Sequence, residues 1–549
     1  MKRPIGGISL SEPKKQNYLH GAAILAAGVV IIKILGAIYK IPLGNILGDT
    51  GMSHFLVSYN IYGVFLTLAT AGLPVALSRM ISEANTMHRP AQVKRTFSVA
   101  WCTFFVLGLV CTLVMFFYPT ELAVLFRDPG ASQSIKALAP ALLLVCLTSA
   151  YRGYCQGHEN MKPTTVGQIF EVLFKVLTGL ALAIWLKNIG KSLSIVSAGA
   201  IFGVTVGSLA ALAYMFIYKR RNYTAVIETA DAPDSSWQIF KNLLRIGIPI
   251  TLGSSVLSLL NVVDSALCLG RLQDAAGFSA ADATMLYGIY GKAQTLYNLP
   301  SAFITPLTIS VVPAIAACRV TGRRREASAI AENSLRISTV IALPMGVGLS
   351  VLSYPIINVL YPNSNAAGPE LLAWMGIASY FVCMALIMNA IMQASGNERY
   401  PIYSMLIGGA VKIALNWWLI GDPGLNILGA PIATLCSYAV MCIADYLFLC
   451  RVMADRPRLG RILIRPVLSC AAMGLSAWAV YGLAIRFIGG PEPGRLMLAV
   501  CMLAAIAVAV LVYLVLVVLT KAVTYEDMKL IPKGEKLAKL LRIKPRRVT

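Results

Sequence analysis

The sequence predicts an all-α integral membrane protein of about fourteen transmembrane helices. Three observations carry this expectation. Hydrophobic residues make up 57% of the 549-residue chain and charged residues only 13%, with a mean hydropathy of +0.72. That balance excludes a large soluble multidomain protein. Apolar runs of about 20 residues, the length that crosses a hydrocarbon core as a helix, recur along almost the whole chain. Finally, the basic residues sort by loop parity in the way that multi-pass proteins require.

In chain order the expected spans are 19–43, 55–81, 96–118, 135–155, 164–186, 195–218, 242–269, 284–317, 336–360, 371–393, 401–420, 426–450, 463–489 and 496–520. The first is longer than the apolar core of a signal peptide and many spans follow it, so it reads as a retained helix. One set of loops carries Lys2, Arg3, Lys14 and Lys15, then Arg79 to Arg95, Lys219 to Arg221, Arg319 to Arg325, Arg451 to Arg465 and the tail from Lys521 to Arg547. The opposite loops hold few basic residues: Arg127, Lys136, Lys187, Lys191, Arg271, Arg486 and Arg495. The positive-inside rule then places both termini in the cytoplasm, which demands an even number of spans. The net charge of +23 is accordingly a topology signal. Runs such as "TGRRREAS" and "KPRRVT" lack the interleaved aromatics of a nucleic-acid surface, and no nucleic-acid partner is expected.

Several chemistries lack their motifs. The twelve Cys fall mostly inside spans without a C-x-x-C pair, and the four His are isolated, so neither a disulfide framework nor a metal site is expected. No phosphate-cradling G-x-x-x-x-G-K-[ST], nucleophile elbow or H-E-x-x-H is present. The longest internal loop, Lys219 to Lys241, is too short for a catalytic domain. The expectation is a transporter without catalytic residues, driven by a gradient or potential.

Two stretches echo each other six spans apart. "GHENMKPTTVGQIFEVLFKV" begins at Gly157 and "GNERYPIYSMLIGGAVKIAL" at Gly396; each is a Gly-to-Pro turn, with Pro163 or Pro401 near the first helical turn and Lys175 or Lys412 about three turns later. "AGLPVALSRMISEAN" and "ISVVPAIAACRVTGR" repeat the same offset. The simplest architecture is two six-helix lobes followed by two extra helices. The corresponding segments are an N-terminal cytoplasmic tail (1–18), an N-lobe (19–220), a cytoplasmic linker (221–241), a C-lobe (242–450), two C-terminal helices (463–520) and a basic cytoplasmic tail (521–549).

Within the spans lie charges that need a partner or water, because a cation at the bilayer centre costs about 2.5–3.5 kcal/mol. Lys33 sits about fourteen residues into its span, roughly 20 Å along the axis, too far for its stem to reach an interface. Lys40 follows about 20° round the helix, with Gly36 on the same face, so one stripe carries two ammonium groups, although Lys40 has the alternative of snorkelling outward past Pro42. Glu171 and Lys175, spaced i,i+4, have the option of pairing with each other. Asp264, Lys292, Lys412 and Asp445 have no partner nearby in sequence. Lys292 occupies a span punctuated by Pro300, Pro306 and Pro313, which suits a segment that bends. Cations thus outnumber carboxylates at mid-membrane, which favours an anionic substrate, and a diphosphate gives several ammonium groups oxygens to converge on. Arg79 joins Glu171, Lys175 and Lys412 as secondary cavity charges.

At this point "AGLPVALSRMISE", "YRGYCQGHENMKPTTVGQIFEVLFKV" and "LPSAFITPLTISVVPAIA" resemble the polysaccharide-transporter branch of the multidrug/oligosaccharidyl-lipid/polysaccharide (MOP) exporter superfamily, within it the SpoVB and MurJ-type lipid II flippases. The resemblance covers nearly the whole chain. It implies a V-shaped pair of lobes around a cationic cavity, with the last two helices forming a groove for a polyprenyl tail. The implied substrate is an undecaprenyl-diphosphate peptidoglycan precursor turned to the outer leaflet of the bacterial cytoplasmic membrane, with Lys33, Lys40 and Lys292 on the diphosphate. The family's R-x-x-G-x-x-R pattern departs here to Lys33, Gly36, Tyr39 and Lys40, so the charge is kept but the bidentate geometry of arginine is lost. Sodium-coupled members imply a cation site at Asp264, assisted by Asn416 and Thr434. No bound cofactor is expected; Na+ or H+ coupling and the membrane potential are the expected drive, and membrane lipids and cell-wall synthases the expected partners. The rivals are a flippase for another lipid-linked sugar, a cation-coupled multidrug exporter of the same superfamily, and a non-transporting membrane scaffold.

Overall fold

The computed structural model describes residues 18–223, 231–488 and 494–520. Both expected tails, apart from Tyr18, and residues 224–230 of the expected linker lie outside them. Every regular element among the described residues is helical. The first half contains α1 (Tyr18–Thr70), α2 (Leu73–Thr86), α3 (Pro90–Phe117), α4 (Pro119–Leu125), α5 (Ser132–Gly157), α6 (Lys162–Asn188) and α7 (Leu193–Asn222). The second contains α8 (Ser236–Asp274), α9 (Ala280–Tyr297), α10 (Leu299–Val320), α11 (Arg324–Val351), α12 (Ser353–Leu360), α13 (Gly368–Ala394), α14 (Arg399–Leu419) and α15 (Gly429–Val452), and α16 (Leu459–Ile488) and α17 (Arg495–Leu519) complete the chain.

Local chemistry explains the boundaries. Proline stands in the first turn of α2, α3, α4, α6, α10 and α13, where its missing N–H has no helical acceptor to lose. Ser235 and Ser279 cap α8 and α9 by accepting from the amides of Gln238 and Asp282. The first expected span and the second as far as Thr70 run on as one helix, α1, the remainder of the second falling in α2; α1 is broken at Gly48, whose φ of 68° and ψ of −163° only glycine adopts without strain. Similarly, the proline-rich eighth span is two helices, α9 and α10, that meet at Asn298 just before Pro300. Residues 336–360 divide at Leu352 into α11 and α12.

Twelve stretches among the described residues are long and apolar enough to cross a membrane, against the fourteen expected. Ile38–Thr86 counts among them as one stretch across the Gly48 break.

The two halves share a packing pattern. In the first, α3 packs on α5, α5 on α7 and α6 on α7; in the second, α11 packs on α13, α13 on α15 and α14 on α15. Small residues allow close crossings, as membrane helices without a hydrophobic drive between them require. A Cβ at Gly207 of α7 would overlap the Glu171 carbonyl of α6, and one at Gly203 would press on Gly179. Helix α16 pairs with α17 and leans on α11. Helix α1 touches α8, α9 and α10 as well as its own half, which places its face at the junction of the halves.

Candidate functional site

Two cavities open beside α1. The one between the halves has a volume of about 280 Å³ and is lined from the first half by Tyr39, Lys40, Tyr59 and Lys175, and from the second by Thr295 and Asn298 at the α9–α10 break. Tyr39 is fully buried and its hydroxyl donates to the Ala200 carbonyl of α7 at 3.0 Å, which fixes the turn of α1 that carries Lys40. Neither Lys40 nor Lys175 forms an ion pair among the described residues. The Lys175 ammonium lies 5.8 Å from the ring centroid of Tyr39 and 5.6 Å from that of Tyr59. Such cation–π contacts contribute about 0.5–2 kcal/mol each, against the cost of about 2.5–3.5 kcal/mol for a cation at mid-membrane. A bound anion would lower that residual cost.

The second cavity, about 340 Å³, lies wholly within the first half and shares Tyr59 and Lys175 with the first. It contains Arg152, whose Nη2 donates to Glu171 Oε2 at 2.6 Å. Glu171 therefore pairs across helices with α5, and the i,i+4 option with Lys175 is not taken up.

Other expected site residues sit elsewhere. Lys292 is 2% exposed and lines neither cavity; its ammonium donates to Asp49 Oδ1 at 2.5 Å, and the same oxygen accepts from Ser364 Oγ at 2.9 Å. The Asn365 amide donates to Asp49 Oδ2 at 3.2 Å. In this structure the Lys292 charge is taken by a carboxylate 243 residues away in sequence, beyond the reach of any local pattern. Asp264 pairs with Lys412 at 2.9 Å and accepts from Asn416 Nδ2 at 2.6 Å. The Lys412 ammonium thus lies against the carboxylate on which the expected cation site is built, and Lys412 lines neither of the two cavities. The hydroxyl of Thr434 donates instead to the Ala430 carbonyl at 2.8 Å. Arg79 is an exposed surface residue paired with Glu83 at 2.8 Å and lines neither cavity. The backbone of Lys33 falls in α1, but its side chain lies outside the described residues. The sequence reading missed Arg152, which lies inside the expected span 135–155 just before the turn at Gly157, and Asp49 in "GDTG".

The Asp49–Lys292 pair belongs to a wider seal at the end opposite the basic loops. Asn45 Nδ2 donates to the Leu360 carbonyl at 2.7 Å, and Arg127 pairs with Asp274 at 3.0 Å; both bonds cross between the halves. A Cβ at Gly288 of α9 would overlap the Asp49 carbonyl. Gly288→Ala should therefore push α9 off α1 at this end and lower the midpoint of thermal unfolding in detergent; an unchanged midpoint would contradict the tight crossing.

The comparisons with known proteins accord with this architecture. The family described as polysaccharide biosynthesis protein matches residues 18–318, more than half of the 549. The chain belongs to that family. Within the MOP superfamily, this member of the polysaccharide-transporter branch lies near stage V sporulation protein B and MurJ. It is 27% identical to stage V sporulation protein B of Bacillus subtilis over 76% of this chain and 81% of that one. It is 25% identical to lipid II flippase MurJ of the same organism over 90% and 94%. The solved structure of lipid II flippase MurJ in an inward closed conformation superposes with a TM-score of 0.66 at 14% identity, covering 90% of this chain and 97% of that one. This family member is a multi-pass membrane protein of the transporter class.

Proposed function

We propose that the protein is a flippase that carries a lipid-linked saccharide diphosphate, the undecaprenyl-diphosphate peptidoglycan precursor lipid II, from the inner to the outer leaflet of the bacterial cytoplasmic membrane by alternating access. The observation that carries this reading is the inter-half cavity with two lysines unpaired among the described residues, Lys40 and Lys175, sealed off at the end opposite the basic loops. Both termini are then cytoplasmic, so the seal is the outer gate. In this reading Lys40 and Lys175 hold the diphosphate while the tail stays in lipid. The interior-negative potential favours expulsion of an anion by about 2.3 kcal/mol per charge per 100 mV.

A multidrug exporter for cations is disfavoured, because Arg152 neutralises the one carboxylate that lines the cavities. The family description and the mixed polar lining also suit a second cargo of the same chemistry, another lipid-linked polysaccharide unit.

The test is binding of lipid II by purified protein in detergent. Lys40→Ala and Lys175→Ala should each weaken it by about tenfold or more, the loss of one charge-assisted contact, and a cationic dye should not compete. Wild-type-like binding by both variants, or dye binding with indifference to lipid II, would overturn the reading.

A further inference from the structure

The larger cavity has a composition that an anion site alone does not account for. Its lining includes Arg152, Glu171, Gln156, Ser149 and Thr70 beside the rings of Tyr59 and Tyr62. Arg152 and Glu171 cancel each other's charge, yet neither is used up. The buried Arg152 Nε–H has no acceptor among the described residues, and the bond from its Nη2 engages Oε2 of Glu171 alone. The chamber therefore presents an unclaimed donor and an unclaimed acceptor within one charge-neutral pair, with a carboxamide and hydroxyls around it.

Each candidate occupant meets that lining differently. An acyl chain would strip water from these polar groups without replacing their bonds, at about 1–3 kcal/mol for each group. A second anion would face Glu171, and a cation would face Arg152 and Lys175. A neutral group whose hydroxyl or acetamido functions both donate and accept satisfies both halves of the pair, and the tyrosine rings offer flat apolar faces for a pyranose. A volume of about 340 Å³ is at the lower end for small-molecule sites, enough for one substituted sugar ring. The chamber borders the inter-half cavity, with Lys175 and Tyr59 lining both, so a group seated in it would lie next to whatever Lys175 holds.

We infer that this chamber receives the first saccharide residue of the lipid-linked diphosphate, hydrogen-bonded by Arg152, Glu171 and Gln156, while Lys40 and Lys175 hold the diphosphate. This rests on the flippase reading and adds the sugar-reading residues to it. It adds the sugar next to the diphosphate, and not the lipid tail, to what the first half recognises.

The experiment measures the affinity of full-length protein in detergent for two probes, lipid II and bare undecaprenyl diphosphate. Wild type should bind lipid II at least tenfold more tightly than the bare diphosphate. Glu171→Gln, which keeps shape and removes charge, and Gln156→Ala, outside the ion pair, should each remove most of that preference by weakening lipid II binding. Binding of the bare diphosphate should be unchanged or, in Glu171→Gln, tightened. Equal weakening for both probes would make the pair a mere support for Lys175 and overturn the inference, as would a wild type without preference. If wild type binds neither probe, the flippase reading itself fails, a result distinct from binding both equally.

Discussion

Asp49→Ala will open the end of the molecule that this structure holds shut. The substitution leaves the Lys292 ammonium, 2% exposed, without its carboxylate. Removing one partner of a buried pair costs about 3–5 kcal/mol, enough to shift a two-state equilibrium by more than a hundredfold. Ser364 and the Asn365 amide would lose their acceptor in the same step. Spin labels at the exposed Leu125 and Ala280, one in each half at that end, report the change once the exposed Cys102 is replaced by serine. The expected result is a longer and broader distance distribution in Asp49→Ala than in wild type, with Lys292→Ala behaving alike and transport impaired in both. Unchanged distances would mean that the pair is not what holds the halves together. The surface pair Arg127–Asp274, about half exposed on both sides, should matter far less, since exposed pairs contribute about 0–1 kcal/mol.

Lys412→Ala should strongly destabilise the second half. It strands Asp264, 5% exposed and held otherwise, among the described residues, by Asn416, and the expected loss is again about 3–5 kcal/mol, read as a lowered unfolding midpoint in detergent. The double variant Asp264→Asn with Lys412→Ala should recover much of that loss, because removing both charges leaves no orphan. Sodium sharpens the test. If the Lys412 ammonium fills the position of a coupling cation, added Na+ should raise the midpoint of Lys412→Ala but leave wild type unmoved. A sodium effect of equal size in wild type would return Asp264, Asn416 and Thr434 to consideration as a working cation site.

The helical, membrane-spanning character of the chain was legible from hydropathy and loop charge because both are local, additive properties. The repeat was legible in the Gly-to-Pro turns before Pro163 and Pro401. What the sequence could not reveal was the partnering of the buried charges. Lys292 with Asp49 and Lys412 with Asp264 join residues 243 and 148 positions apart, and helical periodicity carries no information across such distances. Glu171 shows the converse error: a plausible i,i+4 neighbour in Lys175 was outweighed by Arg152 on α5, whose guanidinium reaches the carboxylate across the helix interface. Gly48 was invisible for another reason: it falls in the expected loop between spans 19–43 and 55–81, where nothing local shows that the helices on both sides will join.

The cations that line the two cavities, Lys40, Lys175 and Arg152, all belong to the first half of the chain, whereas the second half supplies uncharged groups such as Thr295 and Asn298. The halves are therefore mechanically alike but electrically unequal. On the flippase reading proposed above, a cargo held by these cations has no divided grip to be torn from when the halves swing apart; it would stay on the first half as a passenger, with the second half as the moving wall. Unloading then depends on water and counter-ions reaching Lys40 and Lys175 as that wall withdraws, so the ionic strength on the far side should set the pace of release.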